Sequence, residues 1–554
     1  MIIKKRYYIL NSNLILKTIL FPVMLIGLNS CANIVTPPGG PIDKDPPEVL
    51  EESPPNNSTN INPKEIRIRF DEFVELNNPQ QQIIISPLLK NNPEYRIRGR
   101  NLVILIDDTL REETTYVINF GAAIRDITEG NVLENYKFVF STGDFIDSLS
   151  ISGSVKNAFN YNPEKQITVS LYESFEDSAV YKKKPLYISR TDDNGRFELS
   201  NIKEGEYYIF ALEDKNFNLI YDLSDERIAF KEEPLAIYPD TSLADVDLLL
   251  FQEFSRRPGI KEQKRLSKHI QKIIYSRPID TISLQTKEAQ EDRVDYLNHY
   301  LNLDTLFITQ SIVKDSLNLV VEVNNVRSDT LLLSPFEEAQ FELLEQPNFS
   351  KISPGNVSLK FLFSDEIEMF NAEAIKLFTK DSIPVQIDVL SNDIITNRPW
   401  SFILTADLKE GTEYKLVFLD SAFLSKSNLY YPLTTDTFNI AVAKENALGA
   451  FSINLSITDD EHQYIMQFFT SSRGEENIHF QKIINPPFIE SIRLRNIPPA
   501  SYQLRFIQDL SRSGYWNPGN FNIKRQPEPI LYYPGTIDVR ANWESEITIN
   551  DFDF

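Results

Sequence analysis

The stretch "EIRIRFDEFVEL", residues 65–76, decides the fold class. Ile66, Ile68 and Phe70 fall at alternate positions with Arg67 and Arg69 between them. That is the period of two of a strand with one face buried and the other in water. "NLVILID" (101–107) and "TYVINF" (115–120) follow, and "YKFVFSTGD" (136–144) alternates again. Turn-forming stretches such as "PPNNSTNINP" (54–63) and "ITEGN" (127–131) separate them. Short strands punctuated in this way predict a β-sandwich. The best helical spacing is in "IKEQKRLSKHIQKII" (260–274), where Leu266, Ile270 and Ile273 recur, and this segment reads equally as a basic edge strand.

Composition bounds the function. A chain of 554 residues suggests about three to five domains. Hydrophobic content of 42% and aromatic content of 11% suffice for packed cores. The net charge of −23 argues against nucleic acid as a partner and against a basic face on anionic lipid. With one cysteine, Cys31, no intramolecular disulfide can form.

Cys31 sits in "LIGLNSCANIVTPPGG" (25–40). Lys4, Lys5 and Arg6 precede a mostly apolar run, Leu14 to Leu28, which leads through Asn29 and Ser30 into the cysteine. This is the charged start, apolar centre and small-residue cleavage site of a secretory signal. The cysteine resembles that of a bacterial lipobox, which implies cleavage before Cys31 and its lipidation. Residues 1–30 then read as a lipoprotein signal peptide and 31–45 as a Pro/Gly tether. No later run approaches 18 uncharged apolar residues, so no further span is expected.

Residues 45–144, within the expected domain 46–147, carry further marks: an opening "DPP" segment (45–47), Leu110, Thr114 and Tyr116 at a strand entry, a turn from Asp126 to Gly130, and a closing "FVFST" (138–142). Together they resemble the bacterial Ig-like domain of S-layer and envelope proteins. Residues 148–252 carry Thr191, Asp192, Gly195, Phe197, Leu199, Ile202, Gly205 and Tyr207. Asp193-Asn194-Gly195 is a turn, Gly205 turns the chain again, and Phe197 and Leu199 share a strand face. This segment resembles the prealbumin-like modules of carboxypeptidase regulatory domains and collagen-adhesin repeats.

The order then repeats. "VSLKFLFSDEIEM" (357–369) parallels 65–76, "LKEGTEYKLVFLD" (408–420) parallels 110–121, and "NIPPASYQLRFIQDLSRSGYWNPGNF" (496–521) parallels 201–226. Residues 347–445 are therefore expected to form a second Ig-like domain and 446–554 a second prealbumin-like domain. Residues 253–346 form a β-rich intermediate domain. The expected fold is all-β: tandem antiparallel β-sandwiches, the Ig-like and prealbumin-like pair duplicated.

The segment "DKNFNLIYDLSD" (214–225) is the candidate for chemistry. Asp214, Asn216, Asn218, Asp222 and Asp225 fall at positions 1, 3, 5, 9 and 12, with the Ile220 carbonyl at 7, the pattern that ligates calcium in an EF-hand loop. Leu219 stands where that loop has glycine, and a polar hairpin tip would have similar composition. The second copy, 509–520, keeps Asp509 and little other anionic charge. The four histidines are scattered, and neither G-x-S-x-G nor a Walker A sequence occurs. Trp400, Trp516, Trp543 and the Tyr pairs at 207–208, 430–431 and 532–533 could serve as core or as a sugar-stacking platform. A basic run, Arg256 to Lys272, reads as a solvated face.

The layout resembles envelope lipoproteins of Bacteroidota. The resemblance implies a non-enzymatic scaffold, lipid-anchored at the outer membrane and partnered by an outer-membrane protein, such as a β-barrel assembly or transport complex. The alternative is a surface glycan-binding lipoprotein.

Overall fold

The computed structural model describes residues 42–173, 178–239, 242–255, 258–286, 297–310, 317–324, 326–333, 340–349, 352–390, 398–458 and 461–552. The signal, Cys31 and most of the tether lie outside these residues. Among the described residues the strands group into five units in chain order, each built on two main sheets, and the first and fourth carry a further three-stranded sheet. No described helix is long and apolar enough to cross a membrane.

In the first unit, Val49–Ser53, Glu65–Phe70, Asn101–Leu105 and Glu94–Arg98 form one sheet in that order, and Lys137–Ser141, Thr115–Asn119 and Ile84–Ser86 form the other. The alternation in 65–70 does what its period dictates: Ile66, Ile68 and Phe70 are fully buried between the sheets, while Arg67 and Arg69 face water. Tyr116 fixes the corner before its strand, its hydroxyl accepting the Arg111 amide at 2.9 Å.

The fourth unit repeats this topology. Leu343–Glu345, Gly355–Phe363, Ser401–Leu408 and Asp388–Leu390 form the first sheet, and Asp436–Ala441, Glu413–Phe418 and Ile375–Thr379 the second. Leu359, Phe361 and Phe363 take the inward places. Tyr414 repeats the corner, accepting the Lys409 amide at 2.7 Å. The turn at Asp126 is rebuilt on Ser425, whose hydroxyl accepts the Leu429 amide at 3.2 Å.

Asp126 itself accepts the amides of Glu129, Gly130 and Asn131 at 2.6, 2.9 and 2.8 Å. Burial alone would raise its carboxyl, but these amides override that and hold it below the usual carboxylate range. A depressed folded pKa contributes stability above the unfolded value, about 4, that is lost as pH falls through the folded value. The melting midpoint of the chain is expected to fall more steeply below pH 4 than that of Asp126→Asn. Parallel pH profiles of the two would refute the role.

The second and fifth units share another topology. In the second, Arg196–Ile202, Leu149–Asn157 and Leu243–Leu250 face Tyr187–Arg190, Thr168–Tyr172, Gly205–Leu212 and Ile228–Phe230, with Leu235–Ile237 also on Gly205–Leu212. In the fifth, Phe488–Ile497, Gly449–Ile457 and Glu544–Asn550 face Glu475–Ile484, Gln463–Ser472, Ala500–Asp509 and Ile530–Tyr532, with Ile537–Val539 on Ala500–Asp509. The antiparallel rule has one exception per unit: the first and last strands pair parallel. They are joined through the whole unit, long enough for a parallel crossover. The Tyr207 hydroxyl donates to the Lys203 carbonyl at 2.9 Å, and Tyr502 to that of Pro498 at 2.7 Å.

In the third unit, the segment 260–274 resolves as strand. Ile260–Arg265 is the edge of a sheet with Ile270–Tyr275, Thr305–Gln310 and Leu297–Asn302. Lys261 and Lys264 are exposed along it, as suits a guarded edge. Arg256 and Arg257 lie outside the described residues. Leu266 and Ile270, at the turn, pack on Trp400 of the fourth unit.

Candidate functional site

The 214–225 loop is organised by its first aspartate. Both Asp214 oxygens accept amides, from Asn218 at 3.1 Å and Leu219 at 2.9 Å. Asn216 and Asn218 donate to the two Asp222 oxygens at 3.1 and 2.8 Å. Four predicted residues thus converge, and one does not: Asp225 pairs with Lys215 at 2.8 Å. Ile220 contributes its amide to Asn218 Oδ1 at 2.8 Å.

Asp509 heads the equivalent loop in the same way, accepting the amides of Ser513 at 2.9 Å and Gly514 at 2.8 Å. Leu219 and Gly514 occupy the same position with φ of +62° and +79°. Glycine takes that conformation without strain, and leucine takes it only because the loop's hydrogen bonds hold it there.

The second anchor of each loop is an acid outside the expected ligand set. Glu226 is fully buried and accepts the amides of Lys215, Asp222 and Leu223 at 3.2, 3.1 and 3.1 Å. Glu528 does the same work in the fifth unit, accepting Ser511 and Asn517 amides at 2.9 and 2.8 Å. An acid flanking Asn/Asp-rich sequence was the available signal.

Among the described residues no group of three or more His, Cys, Asp or Glu is placed to hold a metal ion. With its oxygens engaged by amides and side-chain NH₂ groups, the loop closes on itself. The expected result is an unchanged melting midpoint on moving from chelator to several millimolar calcium. A rise lost in Asp214→Ala would establish the cation instead.

Beyond the second loop the chain does something the strand pattern did not indicate: the fifth unit folds back onto the second. Phe521, just past the 509–520 loop, is buried with Phe210, Phe230 and Tyr181 of the second unit, ring centroids 5.6, 5.2 and 5.8 Å away. Its amide donates to Glu253 at 2.7 Å, and the other oxygen of Glu253 accepts the Tyr221 hydroxyl at 2.8 Å. Gly519 lets the backbone approach: a Cβ there would lie 2.4 Å from the Phe251 ring.

A second contact centres on Arg505, which is 2% exposed. Its guanidinium lies between Phe159 of the second unit and Phe469, 4.5 and 4.4 Å from the ring centroids. It donates to Gln467 at 2.7 Å and pairs with Glu476 at 2.8 Å. Trp516 packs edge-on against Phe159 at 5.0 Å, and the Tyr532 hydroxyl donates to the Phe159 carbonyl at 3.0 Å. Tyr515 donates to Asp280 of the third unit at 3.0 Å, and burial with this contact pushes its hydroxyl up to about 12.

This places the aromatic candidates. Trp400 and Trp516 fill contacts between units, and Tyr207 lies in a core. Trp543 and Tyr430 remain exposed. His269 is buried, its Nδ1 2.8 Å from the Gln310 carbonyl.

The model of the bacterial Ig-like domain family matches residues 43–142. No curated protein matches the chain. Similar solved structures include the S-layer protein rSbsC(31-844), at 11% identity over 83% of this chain and 65% of that one, with a TM-score of 0.13. The chain therefore spans about two thirds of that fragment. Others are the major pilin subunit BcpA of Bacillus cereus (12%, 73% of this chain, 99% of that, TM-score 0.12) and native alpha-2-macroglobulin of Escherichia coli spanning domains MG0-NIE-MG1 (12%, 35% and 71%, TM-score 0.17). Residues 43–142 are thus similar in sequence to bacterial Ig-like domains, and the chain is an all-β array of tandem sandwiches.

Proposed function

We propose that the chain is a non-enzymatic scaffold, lipid-anchored through Cys31 at the Gram-negative outer membrane, where it serves as an accessory subunit to an outer-membrane β-barrel assembly or transport complex. The observation that carries the scaffold reading is the docking of the fifth unit on the second. Loops that in a binding module would be free at the tips, 214–225 and 509–520, are closed by internal hydrogen bonds, and the second continues into the contact at Phe521. Such a frame holds its outer surfaces in fixed relation for a partner. The signal-like stretch ending at Cys31 supports the anchor.

Two measurements test this. Each buried CH₂ of an acyl chain contributes about 0.8 kcal/mol, so two or more chains give stable anchoring. Cys31→Ala is expected to lose fatty-acid label and to appear in the soluble fraction after carbonate washing. Label on the alanine variant, or unchanged retention, would refute the anchor. Purification of the intact chain from detergent-solubilised envelopes is expected to bring a stoichiometric barrel protein. Retention on glycan columns without such a partner would favour the glycan-binding reading.

A further inference from the structure

Tyr430 and Tyr431 are neighbours on one strand of the fourth unit's three-stranded sheet, so their side chains leave on opposite faces. Tyr431 turns inward. Its ring lies 5.5 Å from that of Phe363 and 6.2 Å from that of Phe341, and its hydroxyl donates to Asp436 at 2.7 Å. Tyr430 therefore turns outward and is 50% exposed. In the first unit the same ladder position, opposite Arg125 as Tyr430 is opposite Leu424, holds Val132. An outward ring at this place is thus not something the topology requires.

Tyr430 borders a cavity of about 800 Å³, where the fourth unit meets Lys268 of the third. That volume is in the range of ligand sites, about 300–1,000 Å³, and such sites favour boundaries between domains. Phe341, which is buried, and Tyr431 supply its apolar side. Gln340, Glu342 and Asp436 supply polar groups beside Lys268. Among the described residues the side chains of Lys268, Gln340 and Glu342 make no hydrogen bond or ion pair. Asp436 accepts the Tyr431 hydroxyl on one oxygen and the Thr437 amide on the other at 2.8 Å. A carboxylate has about four acceptor sites, so it can take further donors.

The lining selects the chemistry of the occupant. Two carboxylates turn away an anion, and the Lys268 ammonium among them turns away a cation. A neutral molecule fits if it has an apolar face to lie on a ring and hydroxyls to meet carboxylates, an amide and an ammonium. A sugar ring has both, since its C–H bonds gather on one face and its hydroxyls donate and accept around the rim.

We propose that this cavity binds a neutral polysaccharide, with one sugar ring on Tyr430, its hydroxyls donating to Glu342 and Asp436 and accepting from Gln340 and Lys268. The proposal goes beyond the scaffold reading and does not depend on it.

The test uses the intact chain, solubilised in detergent, on an array of neutral glucans, mannans and galactans, with alginate and pectate as acidic arms. Retention is expected on at least one neutral polymer and on neither acidic one. Tyr430→Ala is expected to weaken it about tenfold and, because the ring faces outward, to keep the wild-type melting midpoint. Glu342→Gln, which keeps an acceptor oxygen, is expected to weaken it less than Glu342→Ala. No retention on any neutral polymer, a preference for the acidic ones, or retention unchanged in Tyr430→Ala would overturn the proposal. A photo-cross-linking residue at 434 that captures a protein segment in native envelopes would overturn it in favour of a protein occupant. Retention by a chain that also brings its barrel partner supports the cavity and the scaffold together. Retention by a chain that purifies alone supports the cavity and overturns the scaffold.

Discussion

Phe521→Ala is expected to undock the fifth unit from the second. The ring is 1% exposed and lies in a cluster with Tyr172, Phe210, Phe230 and Phe251, all of the second unit. Removing a buried phenylalanine costs about 3–5 kcal/mol. Here the loss falls on a contact between units, which has less surface elsewhere to compensate than a core has. The expected readouts are a larger radius of gyration in solution scattering and faster amide exchange at Phe230 and Ile530. Tyr207 and Tyr502, each inside its own sandwich, should keep their protection. Gly519→Val should act in the same direction, because its Cβ would sit 2.4 Å from the Phe251 ring. Unchanged scattering in both variants would show that the docking is not held here.

Arg505 gives a prediction of unequal size for two substitutions at one contact. Glu476→Ala leaves the guanidinium buried without its counter-ion, and breaking such a pair costs about 3–5 kcal/mol. The lower end is expected, since Gln467, Phe159 and Phe469 still face the charge and Glu476 is itself 30% exposed. Arg505→Met fills similar space between the rings and leaves unpaired only Glu476, which at 30% exposure is reached by water, so its loss should be the smaller of the two. Denaturant unfolding of the two variants decides the point. A larger loss for Arg505→Met than for Glu476→Ala would mean that Arg505 contributes by packing and not by its paired charge.

The strands were legible because their cause is local. Alternation in 65–70 and 357–363 shows which side chains face inward, and Tyr116, Tyr414, Tyr207 and Tyr502 bond within five residues of themselves. The 214–225 loop was legible in part for the same reason. Spacing placed Asp214, Asn216, Asn218 and Asp222 together, while Asp225 turned to Lys215, a residue outside the oxygen pattern. The anchoring role of Glu226 was not legible because a single acid following a polar loop looks like any other until its burial is known.

The all-β class follows from local pattern alone, since a period of two and a turn every few residues leave the chain little else to form, and the recurrence of quoted segments such as 110–121 in 408–420 marks the repetition. The closing of the chain on itself is a matter of packing between distant segments. Phe521 meets Phe210, Phe230 and Tyr181 from hundreds of positions away, and Arg505 meets Phe159 across the same boundary. An aromatic ring near a loop tip has the same sequence signature whether it faces water, a ligand or another domain. What separates these outcomes is the surface opposite it, which the order of residues along the chain does not contain.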